Sequence, residues 1–195
     1  MQIILILISA LTPVAVLLFY IFRKDKVQPE PTKWLLKAFG FGVLSMFLSF
    51  VFSVPACLLL GMEMDANTYS SIREAFADAF VLAAIPEELA KLIMLWLLLR
   101  KNPHFDERFD GIVYAVCIGM GFAGIENVMY LIGGLEDGSW IGTGIVRALF
   151  AVPAHFLFAV LMGYYYSIYQ FGIDRSAKIK VLVLAAPIIA HGIYD

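Results

Sequence analysis

Long runs of apolar residues, separated by short polar segments, dominate this chain of 195 residues. A helix needs roughly 20 apolar residues to cross a bilayer, and six runs reach about that length. The pattern predicts an all-α, polytopic membrane helical bundle with about six transmembrane helices. We place the spans at residues 3–22, about 34–60, about 76–99, 111–132, about 141–169 and from 179 to the end.

Composition supports this prediction. Apolar residues make up 62% of the chain and charged residues only 15%, whereas soluble domains are about half apolar and a quarter charged. These values exclude a disordered chain, a nucleic-acid binder and a soluble domain. No stretch is large enough for a separate soluble domain, so residues 1–195 are interpreted as a single transmembrane domain. Cys57 and Cys117 both lie in apolar runs and are expected to be core residues.

The loop charges predict an orientation in the membrane. Eleven of the fourteen lysines and arginines lie in the loops after the first, third and fifth spans. Cytoplasmic loops are enriched in basic residues, so the N-terminus is expected outside. The first span has no preceding basic region and no following cleavage site, which favours a retained helix over a signal peptide. The loops on the outer side contain the acidic residues Glu63, Asp65, Glu136 and Asp137.

Several spans contain ionisable residues, and each such charge costs roughly 2.5–3.5 kcal/mol on insertion scales. At 1.5 Å per residue from the cytoplasmic ends, Glu88 and His191 lie roughly 16 Å up and His155 roughly 21 Å. By the same count, Glu126 and Asp195 lie roughly 22–24 Å up. Four helices therefore contribute to one polar layer, which we interpret as the functional site. Its predicted members are Glu87, Glu88, Lys91, Glu126, His155, His191 and Asp195.

Spacing and proline positions add detail to this layer. Lys91 is three residues after Glu88 and four after Glu87, so it can offset one carboxylate and leave the other as a general base. Pro86 and Pro153 precede members of the layer, and each proline leaves a carbonyl without its usual donor. Near the outer end of the fifth span, Arg147 is expected to snorkel to the interface or to pair with Glu136 or Asp137.

Carboxylates and histidines without a serine or cysteine nucleophile favour activated water, and hence hydrolysis of an amide inside the membrane. The same residue types could hold zinc, with Glu88, Glu126, His155 and His191 as candidate ligands. No HExxH sequence is present, and the ammonium group of Lys91 would compete with a dication for the carboxylates. We therefore expect catalysis without a tightly held metal ion, with zinc as the alternative.

A different class of function fits part of the pattern. Intramembrane carboxylates also relay protons or cations in transporters and binding modules. No inverted repeat is visible in the sequence, and the ionisable residues form one layer instead of a path across the membrane. These two observations favour the hydrolase.

Three motifs stand in order in separate spans: EExxK at Glu87–Lys91, FxxxE at Phe122–Glu126, and HxxxD at His191–Asp195. Together they resemble the PrsW family of bacterial intramembrane proteases over about residues 74–195. The resemblance implies a multi-pass protein of the bacterial cytoplasmic membrane. It also implies that the substrate is a single-pass anti-sigma factor, cleaved near the outer face as the first step in releasing a stress-response sigma factor.

The family is distantly similar to the CAAX prenyl proteases, whose motifs read EExxxR, FxxxH and HxxxN. This chain differs from them at Lys91, Glu126 and Asp195, so a prenylated substrate is not indicated. The sequence also stops at the last motif residue, before the sixth span would reach the outer surface. A carboxylate at that depth is costly, and we expect the natural C-terminus to lie further on.

Overall fold

The computed structural model describes residues 2–26, 28–62 and 69–195. Every regular element within these ranges is helical, which confirms the predicted all-α class. In chain order the elements are α1 (Gln2–Lys24), α2 (Thr32–Leu60), α3 (Ile72–Ala77), a first π segment (Asp78–Ala84), α4 (Ile85–Leu99), α5 (Arg108–Gly133), α6 (Trp140–Val146), a second π segment (Arg147–Ala151), α7 (Val152–Gln170) and α8 (Ala177–Tyr194).

Five helical segments are long and apolar enough to cross a membrane by length and composition. They are α1, α2, α5, α8 and the continuous run from α6 through the second π segment to α7. The predicted third span corresponds to α3, the first π segment and α4, and it carries three charged residues of the polar layer. The multi-pass bundle is thus confirmed, and its orientation stays a prediction. Glu63 and Asp65, used in that prediction, lie outside the described residues.

Helix α5 lies at the centre of the bundle, with α1, α2 and α7 packed around it. Glycines let the backbones approach closely. A Cβ atom on Gly42 of α2 would lie 2.0 Å from the carbonyl oxygen of Ile118, and one on Gly163 of α7 would lie 2.4 Å from that of Gly111. Small residues allow such contacts between membrane helices. This packing places Glu126 of α5 beside the start of α7.

Each π segment leads into a helix that begins with a proline at its second residue. The N–H group of Ile85 donates to the carbonyl of Phe80, and that of Val152 donates to the carbonyl of Arg147, five residues back in each case. Pro86 comes directly after Ile85, and Pro153 comes directly after Val152. Because proline has no N–H to donate, the wider turn before it allows the helix to continue without a break.

The apolar surface agrees with a membrane environment. The outer faces of α1 and α2 expose large apolar side chains, among them Ile3, Leu58 and Leu59. Such a surface would be unusual in water, whereas lipid covers it without cost. Both cysteines are buried and free, as the sequence predicts.

Candidate active site

All seven predicted members of the polar layer lie in one connected network. Side chains from α4, α5, α7 and α8 converge between the helices, and most of them are buried. Charged groups in lipid are tolerated when they face the bundle interior and pair with one another, and this cluster meets both conditions. The prediction that ionisable side chains from four spans lie together is therefore confirmed. Their catalytic roles stay predictions.

Glu88 is the most firmly held carboxylate of the network. Its side chain is fully buried, and its Oε1 atom accepts from Lys91 Nζ at 2.8 Å and from His191 Nδ1 at 3.0 Å. The other oxygen, Oε2, is buried and has no hydrogen-bond partner. A buried carboxylate oxygen without a donor is costly, so this atom faces a position where a cation or a donor would be favourable.

Glu87 is more loosely held than its neighbour. Its Oε2 atom lies 3.4 Å from Lys91 Nζ and 3.9 Å from His191 Nε2, and 15% of its side chain is exposed. The helical spacing explains the difference, because residues three and four apart both face Lys91 but only one can approach it closely. Of the two adjacent glutamates, Glu87 is the one that can reach a water molecule.

Lys91 is the centre of the network. Its ammonium group contacts both glutamates and also lies 3.1 Å from His155 Nδ1. It lies 4.0 Å from the ring centroid of Phe122, so the aromatic residue of the FxxxE motif makes a cation–π contact. Because an ammonium group can only donate, the Nδ1 atom of His155 must accept and its proton must lie on Nε2.

That Nε2 proton has an acceptor. His155 Nε2 lies 2.9 Å from Glu126 Oε2, and Glu126 is buried. A carboxylate behind a histidine fixes the tautomer and the orientation of the imidazole ring. Glu126 therefore contacts the back of His155, away from the two glutamates of α4.

His191 is fixed from three sides. Its Nδ1 donates to Glu88, its Nε2 lies 3.2 Å from Asp195 Oδ2, and its ring stacks on Phe158 with centroids 4.7 Å apart. Phe158 was not a predicted site residue. It lies one helical turn after His155 on α7, and this spacing is the only sequence signal that could have suggested it.

The expected position of Arg147 is wrong. Its Nη2 donates to Glu126 Oε2 and its Nε donates to Asn127 Oδ1 at 2.6 Å, so it does not pair with Glu136 or Asp137. Asp137 instead accepts from the backbone N–H of Ser139 at 3.0 Å. The second π segment causes the difference, because it turns Arg147 toward the interior of the bundle.

The described residues contain one group whose donors could hold a metal ion: Glu87, Glu88, His155 and His191, with one ligand atom from each lying within 4.8 Å of the others. This set shares three residues with the candidate zinc ligands from the sequence and has Glu87 in place of Glu126. Nitrogen and carboxylate oxygen donors suit zinc. The unpartnered Oε2 of Glu88 also fits a dication.

The fold and the buried cluster of carboxylates and histidines are typical of a membrane-embedded hydrolase. A family model described as "PrsW family intramembrane metalloprotease" matches residues 30–195. The chain belongs to this family and is a multi-pass membrane protease. The resemblance seen in the three motifs is thereby confirmed.

Individual relatives agree with the family model. "Protease PrsW" of Clostridioides difficile (strain 630) is 36% identical over 95% of this chain and 76% of its own length. "Protease PrsW" of Geobacillus kaustophilus is 34% identical over 97% of this chain and 78% of its own length. The Bacillus subtilis (strain 168) protein of the same name is 33% identical over 97% and 81%. No solved structure matches the chain.

These similarities bear on two alternatives that the sequence left open. The relatives and the family are proteases, so a transporter or binding module is not favoured. The family description also names a metalloprotease, which supports a metal ion, without naming which, and gives no support to the expected catalysis without a tightly held ion.

Proposed function

We propose that residues 1–195 form a single catalytic domain that hydrolyses a single-pass membrane protein near the outer face of the cytoplasmic membrane, and that this substrate is an anti-sigma factor. The observation that carries the proposal is the buried cluster around Lys91, in which two glutamates and two histidines meet. The outer-face assignment rests on the loop charges and on the depth of the layer.

Glu87 is proposed as the general base. It is the more exposed of the two glutamates and has the longer contacts, so it can accept a proton from water and then pass it to the leaving amine. Glu88 instead holds His191 and Lys91 in place through two short hydrogen bonds. Both glutamates are needed, but they act differently.

Lys91 is proposed to stabilise the negative charge that develops on the scissile carbonyl oxygen. Lys91 carries a positive charge in a site from which water is largely excluded, where a donor acts more strongly than in bulk water. Asp195 and Glu126 orient the two imidazole rings from behind. This accounts for all seven residues of the polar layer.

The residues proposed to hold a zinc ion are Glu88, His155 and His191, the three most buried of the four candidate donors. Catalytic zinc sites commonly use three protein ligands, and this choice leaves Glu87 free as the base. When bound, a divalent ion would supply Lewis acidity to the site.

The activity is tested with the purified protein in liposomes together with the single-pass anti-sigma factor of the same bacterium. We expect the wild type to cut it near its outer juxtamembrane segment and Glu87→Gln, Glu88→Ala and His191→Ala to leave it intact. Glu136→Gln changes an exposed loop carboxylate and serves as the control. Cleavage at the wild-type rate by Glu88→Ala and His191→Ala would refute the assignment.

The substrate is tested in cells. In a deletion strain, the membrane proteome should show an intact anti-sigma factor that the parent strain degrades under envelope stress. If cleavage of that protein continues unchanged while another single-pass protein accumulates, the enzyme is a protease with a different substrate.

The metal is tested separately. We expect about one zinc ion per chain in the purified protein, loss of cleavage after chelation, and recovery on addition of zinc. Full activity in a chelated protein that contains no metal would contradict this part of the proposal.

A further inference from the structure

Arg147 is the one cation of the network that the mechanism above does not use. Its guanidinium group donates to Glu126 through Nη2 and to Asn127 through Nε, and it lies over the ring of Tyr130 at 4.1 Å from the centroid. Only 13% of its side chain is exposed. An arginine that merely anchors a helix at the interface would instead extend its charge into the headgroups.

Asn127 connects this contact to a third helix. Its Nδ2 donates to the carbonyl of Ala10 in α1 at 3.2 Å, while its Oδ1 accepts from Arg147. The planar guanidinium group therefore bridges two neighbouring side chains of α5, one of which is fixed to α1. Such a two-point contact defines the direction of the carboxylate more strictly than a single point charge would.

The second π segment places Arg147 and His155 on the same face of the helix. Eight residues of regular α-helix turn through roughly 800°, about 80° beyond two full turns, so the two side chains would diverge. A π segment absorbs about one extra residue, which turns Arg147 back by roughly 100°. As a result, both residues reach the same oxygen, Glu126 Oε2.

We infer that Arg147 is a positioning residue of the protease site. It holds Glu126 in the orientation that accepts the Nε2 proton of His155, so that His155 presents its unprotonated Nδ1 to Lys91 and the two glutamates of α4. Without Arg147, Glu126 would be fixed by the imidazole alone and could rotate, so its hydrogen bond with His155 would weaken and Lys91 alone would hold the ring. The inference rests on the proposed proteolytic function for its effect on rate.

Cleavage of the anti-sigma factor in liposomes tests the effect on rate. We expect Arg147→Gln to lower kcat about 10- to 100-fold with KM changed less than twofold, as is typical when a partner behind a functional histidine is removed. Arg147→Lys should fall between this variant and the wild type, because lysine cannot bridge both partners. Arg175→Gln, which removes an arginine from an exposed loop, should leave kcat unchanged.

A double-mutant comparison separates positioning from general stability. If Arg147 acts through Glu126, Arg147→Gln should change kcat less than about threefold in a Glu126→Gln background, because the effects of coupled residues do not add. Fully multiplicative losses, or a wild-type kcat in Arg147→Gln, would overturn the inference. If the wild type and Arg147→Gln cleave the substrate at the same rate, the inference fails but the proposed function stands.

A measurement that needs no substrate distinguishes a failure of this inference from a failure of the proposed function. The chain has three histidines, so ¹⁵N-histidine spectra in nanodiscs can be assigned with His104→Gln and His155→Gln. We expect the wild type to show His155 with Nε2 protonated and Nδ1 unprotonated, and Arg147→Gln to show a shifted Nε2 signal because the hydrogen bond to Glu126 is weakened. An unchanged His155 signal in Arg147→Gln would refute the inference even if no substrate is cleaved.

Discussion

Glu87 and Glu88 are adjacent in sequence, but their surroundings differ. Glu88 accepts two short hydrogen bonds and is fully buried, whereas Glu87 has contacts of 3.4 Å and longer and is partly exposed. A fixed carboxylate organises its neighbours, and a looser one can take up a proton. The structure therefore separates two residues that the sequence pattern treats as equivalent.

This difference predicts unequal effects on stability. Glu88→Ala removes the partner of a buried cation and should lower the free energy of unfolding by about 3–5 kcal/mol. Glu87→Ala should lower it by less than about 1 kcal/mol, because its weaker contacts are partly solvent-exposed. Denaturant titration of both variants in detergent measures the two values, and equal losses would contradict the separate roles.

At the scale of the helices, Gly42 of α2 faces the backbone of α5 so closely that no side chain fits. Gly42→Ala should force the two helices apart and cost on the order of 3 kcal/mol. Gly40 lies in the same helix with open space around it. Gly40→Ala is therefore the matched control, and it should be neutral or stabilise by up to about 1 kcal/mol through helix propensity.

The second π segment can be tested by changing its length. Deleting Leu149, an exposed residue in this segment, should convert the turn to regular α-helix and keep Arg147 on the face of His155, because seven α-helical residues turn through roughly 700°, close to two full turns. We therefore expect kcat to stay within about threefold of the wild type. Leu149→Ala keeps the chain length and should retain activity. A loss of kcat as large as in Arg147→Gln would show that the π turn does more than set the register of Arg147.

The sequence predicts the helices well where hydropathy alone decides, as in α1, α2 and α5. It also predicts the polar layer, because charges in a membrane stand out. It does not predict the position of Arg147, since periodicity assumes a regular helix and a π turn shifts the register by about one residue. The sequence does not predict the role of Phe158 for another reason. Aromatic residues are common in apolar spans, and nothing in the sequence indicates which side chain one of them will stack on.

At the scale of the whole molecule, a second polar cluster lies away from the candidate active site. Asp25 after α1, Glu30 before α2 and Asp110 at the start of α5 are buried, and no described lysine or arginine forms a salt bridge with any of them. Glu30 accepts from the hydroxyl group of Tyr114, and its backbone N–H donates to Asp25. These contacts join the end of α1 and the start of α2 to the start of α5, although the sequence shows only a polar linker here.

Burial, together with the nearby carboxylates of Asp110 and Asp25, raises the pKa of Glu30 to about 7, although the hydrogen bond from Tyr114 opposes this shift. The folded state therefore binds a proton that the unfolded state, with a pKa near 4.5, releases. Stability from this group is fully present below pH 4.5 and is lost as the pH rises through about 7. Glu30→Gln mimics the protonated form, so it should match the wild type near pH 5 and be more stable at pH 8, by on the order of 1–2 kcal/mol after allowance for screening. Unfolding titrations of both proteins between pH 5 and pH 8 measure this difference. A constant difference across that range would mean that Glu30 does not titrate in the fold.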